Sequence, residues 1–112
     1  MDKRAIGVFD SGLGGLTVVK EIRKILPNES IIYLGDTARI PYGTRSKETV
    51  VRFSFEDANF LLGKKIKCIV VACNTASALA FSSLVKVIKI PVFEVITPAA
   101  KKAVRMTKVK KI

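Results

Sequence analysis

Apolar residues along this chain follow two spacings in turn. Four short runs are rich in apolar residues: Ala5-Ile6-Gly7-Val8-Phe9, Ile31-Ile32-Tyr33-Leu34, Lys67–Ala72 and Pro91–Val95. Runs of this length bounded by polar turns predict buried strands. Between the first two, Leu16, Val19, Ile22, Ile25 and Leu26 recur at helical spacing, with Lys20, Glu21, Arg23 and Lys24 on the other face. That is an amphipathic helix, ended by Pro27-Asn28. Ser46 is placed to cap a second helix from Lys47 to about Leu62, with Val50, Phe53, Ala58, Leu61 and Leu62 on its buried side. A third helix is predicted from about Thr75 to Val85. A fourth, opened by Thr97-Pro98, runs to about Thr107. Lys108-Val109-Lys110-Lys111-Ile112 reads as a strand just beginning, so the chain is expected to be the first part of a longer one.

Strand and helix alternate four times. Strands that are apolar throughout imply a parallel sheet covered on both faces, and parallel strands need right-handed crossovers. The predicted fold is therefore a doubly wound, flavodoxin-like α/β sheet of four strands plus the start of a fifth.

Composition narrows the class. The chain has 112 residues, 49% of them hydrophobic, enough for one modest core. No apolar run approaches the ~18 residues of a membrane span, and the stretch between Arg4 and Asp10 is too short for a secretory h-region. Two cysteines within a few residues are no disulfide framework, so a reducing, cytoplasmic compartment is expected. Charge is uneven. Residues 1–60 hold nine Lys/Arg against eight Asp/Glu, whereas residues 61–112 hold eleven against Glu94 alone. The lysines are scattered singly and in pairs around apolar runs, without a basic helix face interleaved with aromatics. Solvated strand and helix ends account for them, and no nucleic-acid partner is expected.

Three polar loops leave the carboxyl ends of the first three strands: Asp10-Ser11-Gly12, Gly35-Asp36-Thr37 with Ile40-Pro41-Tyr42-Gly43, and Cys73-Asn74-Thr75. In a parallel sheet they share one edge, where open α/β sheets place their ligands. Cys73 ends an apolar run beside the free amides of a helix N-terminus, a position that favours a thiolate. It reads equally as a buried cysteine that ends a strand. Asp10-Ser11-Gly12-Leu13-Gly14-Gly15 is either an anion cradle or a tight structural turn. Its spacing fits neither a dinucleotide fingerprint nor a P-loop. Asp10 is a proton carrier near the thiol or a helix-capping carboxylate, and Ser11 has the same pair of readings. Tyr42 contacts a ligand through its hydroxyl or is a turn aromatic. Asp36 structures its loop. Asn74 and Thr75 offer donors to a carboxylate, or cap the helix. Cys68 is a small core hydrophobe. The chain has no histidine, which removes a Cys-His pair and any ordinary zinc set.

Taken together, Phe9–Val18, Gly35–Gly43 and Val71–Ser77 resemble the glutamate racemases of the cofactor-independent aspartate/glutamate racemase superfamily. The likeness continues to Val95–Ala100. It implies interconversion of L- and D-glutamate by two cysteine bases on opposite faces of the α-carbon, with no cofactor or metal. Cys73 would take the α-proton of D-glutamate and Asp10 would assist. Ser11, Pro41, Tyr42, Gly43, Asn74 and Thr75 would hold the substrate. The product would serve the bacterial cell wall. The family's second cysteine lies in a second lobe, and this chain has no matching segment. Residues 1–96 are thus expected to be an incomplete first lobe, and residues 97–112 a connecting helix and the start of the second. The expected partner is glutamate, with no membrane and a possible homo-oligomer. The competing readings are an aspartate or hydantoin racemase of the same superfamily, and a non-enzymatic flavodoxin-like phosphate-binding module.

Overall fold

The computed structural model describes residues 3–12, 14–39 and 42–94. In chain order they form strand β1 (Ala5–Asp10), helix α1 (Gly15–Ile25), strand β2 (Ile31–Gly35), helix α2 (Lys47–Leu62), strand β3 (Ile66–Val71), helix α3 (Asn74–Val87) and strand β4 (Val92–Glu94). Two short 3-10 turns, Thr37–Arg39 and Tyr42–Thr44, occupy the β2–α2 connection. The strands make one parallel sheet in the order β2-β1-β3-β4. This is the expected doubly wound α/β fold. Among the described residues no helix is long and apolar enough to cross a membrane.

Side-chain alternation sends the apolar residues of the central strands to both faces of the sheet. Ile6 and Val8 of β1 join Cys68 and Val70 of β3 in a cluster with Ile22 of α1 and Leu26. Phe9, Ile69 and Val71 point the other way, into a second cluster with Val50, Phe53 and Leu61 of α2 and Leu84 of α3. With helices on both faces, every residue of β1 is buried. Each large side chain removed from water this way contributes on the order of 1.5–3 kcal/mol. Cys68 sits in this packing as the sequence suggests, at 7% exposure.

The helix limits follow from local chemistry. Ser46 Oγ accepts the Thr49 N–H at 3.2 Å, which fixes the start of α2 where the sequence places it. Its buried stripe is Val50, Phe53, Ser54, Asp57, Ala58 and Leu61, the i, i+3, i+4 rhythm of a core-facing helix. Leu62 was expected on that stripe but falls one position beyond it and is exposed. Leu16 is also exposed, against expectation. The inner stripe of α1 starts at Gly15 and continues through Ile22, which turns the next residue, Leu16, outward. The end of the fourth predicted strand at Val95, the helix from Thr97 and all of residues 97–112 lie outside the described residues, as do Leu13 and Pro41.

Candidate active site

The carboxyl edge of the sheet is tied together by its own backbone. Ala72 N–H donates to Phe9 O at 2.8 Å, and Asp36 N–H donates to Asp10 O at 2.9 Å. The three loops singled out in the sequence therefore leave the sheet side by side, with β1 in the middle.

Asp10 is the last residue of β1 and is completely buried. Its Oδ1 accepts the Gly12 N–H and the Tyr33 hydroxyl, both at 2.8 Å. Its Oδ2 is buried with no hydrogen-bond partner among the described residues. Asp10 is not the cap of α1. The capping residue is Gly14, at φ 81, with no side-chain hydrogen bond. The carboxylate instead lies against the first helical residue, so close that a Cβ on Gly15 would stand 1.9 Å from Oδ2. Only glycine admits that approach. Tyr33 is held in its neutral form: burial, and then its hydrogen bond to Asp10, push its pKa up to about 12. Ser11 is buried beside Asp10.

Cys73 follows β3 and is the N-cap of α3, in extended conformation. Its Sγ accepts the Ala76 N–H at 3.5 Å, so a first-turn amide of α3 faces the sulfur. The helix begins one residue earlier than expected, which makes Cys73 rather than Asn74 or Thr75 the capping residue. Asn74 is then exposed at the edge and Thr75 half-buried. Ser77 Oγ donates to Val71 O at 3.1 Å and ties this turn back to its strand.

The β2–α2 connection supplies the third wall. Gly43 is exposed, and a Cβ placed on it would stand 3.6 Å from Thr75 Oγ1. The Tyr42 side chain turns inward and is fully buried. Its hydroxyl lies 2.5 Å from Asp36 Oδ2 and 2.6 Å from Asp57 Oδ2. It is therefore engaged by protein carboxylates, and what this turn presents to the edge is Gly43. Arg39 clamps both oxygens of Asp36 at 2.8–3.1 Å, also pairs with Glu56, and stacks 3.9 Å over the Phe53 ring. Asp36 thus structures its loop, as the sequence suggests. Burial alone would raise its pKa, but hydrogen bonds from Arg39 and Tyr42, and the charge of Arg39, hold it below the usual carboxylate range. Burial and the hydrogen bonds to both carboxylates push the Tyr42 phenol far upward.

Asp10, Ser11, Gly43, Cys73, Asn74 and Thr75 thus share one edge, with Tyr42 beneath it. Sequence reasoning missed Tyr33, Arg39 and Asp57. Asp57 had a signal: a carboxylate on the buried stripe of α2 must have a partner. Among the described residues no set of three Cys, Asp or Glu converges as metal ligands.

No protein-family model matches the chain. The glutamate racemase of Geobacter metallireducens is 58% identical to it over 108 residues, covering 96% of this chain and 40% of the relative. The crystal structure of glutamate racemase from Thermus thermophilus, in complex with β-chloro-D-alanine, matches with a TM-score of 0.84 at 54% identity, over 91% of this chain and 40% of that one.

Over nearly its whole length the chain is similar to glutamate racemases.

A further glutamate racemase structure, from Francisella tularensis and in complex with D-glutamate, matches with a TM-score of 0.79 at 54% identity, over 84% of this chain and 36% of that one. The chain spans about 40% of the length of the curated glutamate racemases it matches.

Proposed function

We propose that this chain forms one side of a glutamate-racemising site. Cys73 acts as the base that exchanges a proton with the α-carbon from one face. Asp10 assists through the Oδ2 that has no partner among the described residues. Ser11, Pro41, Gly43, Asn74 and Thr75 form the cradle for the amino acid, and Tyr42 holds its turn from beneath through the two carboxylates. The observation that carries the reading is the Cys73 sulfur at the N-terminus of α3, on the edge it shares with Asp10. The D-glutamate bound to the Francisella tularensis relative supports the choice of amino acid.

The chemistry fits these groups. A glutamate α-proton is very weakly acidic, whereas an ordinary thiol has a pKa of ~8.5, so the carbanion needs strong stabilisation. Amide and side-chain donors at Asn74 and Thr75 are the groups to face the substrate carboxylate. The route uses no pyridoxal phosphate and no metal. Inversion also needs a proton donor on the opposite face. Cys68 cannot serve, because it is buried within β3 on the α1 side of the sheet. Tyr42 cannot either, because its hydroxyl is spent on two carboxylates. The second thiol therefore comes from outside these 112 residues. The product supplies D-glutamate for a bacterial cell wall, in the cytoplasm.

The test is a pair of measurements on the purified chain. Proton NMR in deuterated water follows loss of the α-proton of D-glutamate, and a coupled assay follows formation of L-glutamate. The reading expects slow exchange that disappears in Cys73→Ser, without racemisation. Racemisation by these 112 residues at the ~1–10³ per second of ordinary enzymes would refute the need for a second thiol. Exchange that survives Cys73→Ser would refute its role as the base.

A further inference from the structure

The contacts around Tyr42 do not balance with a single proton. The phenol oxygen lies 2.5 Å from Asp36 Oδ2 and 2.6 Å from Asp57 Oδ2. Both distances are those of O–H···O hydrogen bonds. A phenol has one proton, and an ionised carboxylate only accepts. With both carboxylates ionised, one of these contacts would press two oxygen lone pairs together in a buried site, with no proton between them. A second proton must therefore reside in the cluster.

Arg39 decides where. Its Nε and Nη2 engage both oxygens of Asp36 at 2.8–3.1 Å, the bidentate pairing that keeps a carboxylate ionised. Asp57 receives one longer contact, 3.3 Å from Nη2, and the remaining Nη1 is taken by Glu56. Asp57 is buried on the inner stripe of α2. The proton belongs on Asp57. The resulting chain runs one way: the Asp57 carboxyl donates to the Tyr42 oxygen, Tyr42 donates to Asp36, and Asp36 is paired with Arg39.

We propose that Asp57 is a positioning residue, whose proton, passed through Tyr42 to Asp36, seats the turns 37–39 and 42–44 on α2 so that Gly43 stands against Thr75. The proposal uses the function proposed above only in taking Gly43 and Thr75 as part of the substrate cradle. The two turns have no regular helix or strand of their own. Their anchors to α2 are this proton bridge, the Arg39 contacts to Glu56 and Asp57, and the packing of Tyr42 and Arg39 on Phe53.

The bridge titrates in a useful range. Burial raises Asp57 and the charge of Asp36 adds to it, against the hydrogen bond of Tyr42, so that its pKa rises to about 7. The groups facing it are Asp36 after β2, Arg39 and Tyr42 in the turns, and Glu56 on its own helix; Arg45 and Arg52 approach the neighbouring Phe53 ring. Once Asp57 loses its proton, Asp36, Asp57 and Glu56 share Arg39 as their one direct cationic partner among the described residues. The Tyr42 bridge then opens on one side, and the approach of Gly43 to Thr75 loosens.

The experiment is an NMR titration of the full 112-residue chain from pH 5 to 9, without glutamate. It follows the Asp57 carboxyl carbon and the amides of Gly43 and Thr75. The expected result is one shared midpoint near pH 7. In Asp57→Asn the amide N–H keeps the donor without titrating, and both amides stay at their low-pH positions throughout. In Asp57→Ala they take the high-pH positions at every pH. Asp57 titrating at the usual ~4 of a carboxyl would overturn the proposal. So would Gly43 and Thr75 amides that stay fixed while Asp57 titrates, or that still titrate in Asp57→Asn. The wild-type titration decides alone if a variant fails to fold. Binding of D-glutamate is measured afterwards in a separate arm. Its absence overturns the functional reading and leaves the proton bridge standing.

Discussion

Replacing Gly15 with alanine tests the closest contact at this edge. The new Cβ would stand 1.9 Å from Asp10 Oδ2, 2.4 Å from its Cγ and 2.9 Å from its Cβ. The carboxylate has nowhere to go, since Asp10 is wholly buried and its Oδ1 is held by Gly12 and Tyr33 at 2.8 Å each. One route to relief moves the first turn of α1 off the sheet, an overpacking cost of about 1–3 kcal/mol. The other rotates Asp10 away from its two donors, at roughly 1.5–3 kcal/mol for each hydrogen bond to a charged group. Alanine returns up to ~1 kcal/mol as a better helix former. The cheaper route sets the expected net loss, about 1–3 kcal/mol. With a urea m-value of ~2 kcal/mol per molar, the unfolding midpoint drops by about 0.5–1.5 M. The decisive assay is a double-mutant cycle with Asp10→Ala, which removes Oδ2 and Cγ and leaves only the 2.9 Å contact. In that background the cost of Gly15→Ala falls below ~1 kcal/mol, because the two sites no longer collide. Equal losses in both backgrounds, or a single mutant that unfolds with the wild type, would refute the steric argument.

Other outcomes follow from the same geometry. Cys73 and Cys68 are both buried, at 6% and 7% exposure, so iodoacetamide labels each slowly in the folded protein. Cys73, which follows its strand at a helix start, is expected to react before Cys68 within β3, and peptide mapping after brief exposure reads the order. Ser46→Ala removes the side-chain acceptor of the Thr49 N–H and lowers stability by about 1 kcal/mol, measured by urea unfolding. Tyr33→Phe takes one of two donors from Asp10 Oδ1 and costs about 1–3 kcal/mol on the same assay. Both tyrosine phenols titrate above their ordinary value. Phenolate absorbance is therefore missing at pH ~10 in the folded protein and present in urea. A phenol whose pKa is raised by folding holds its proton longer in the native state. Its contribution to stability is present below pH ~10 and declines as pH climbs toward the folded value.

The fold was legible because its signals are local. Ser46 starts α2, and apolar runs followed by Asp10, Gly35 and Cys73 mark the edge. The face of a helix was less legible at its ends. Leu16 and Leu62 are apolar and near the stripe, yet the stripe of α1 passes through Gly15, whose small size serves Asp10. The residues proposed for the cradle stood out because they sit in loops of unusual composition. The groups that hold them did not, because Tyr33, Arg39 and Asp57 look like an ordinary strand, turn and helix residue in that order. Their partners lie 23, 3 and 15 positions away in sequence, at Asp10, Asp36 and Tyr42. Periodicity reports which way a residue points, and says nothing of what meets it there.

The order of strands has a consequence for how the chain folds. β1 is the first strand to be made and lies in the interior of the sheet, between β2 and β3. Pairing with β2 closes a short loop, whereas pairing with β3 must bring Ala5 to Ile66 and Phe9 to Val71. The entropy of that closure grows only as the logarithm of loop length, about 0.6 kcal/mol per doubling, but it precedes the contacts that repay it. Until β3 docks, one side of β1 is an open row of backbone donors and acceptors. The step that closes this row also carries Cys73 to the edge where Asp10 waits. The thiol and the carboxylate are thus brought to one edge by the most sequence-distant strand pairing among the described residues, the class of contact that topology expects to form late.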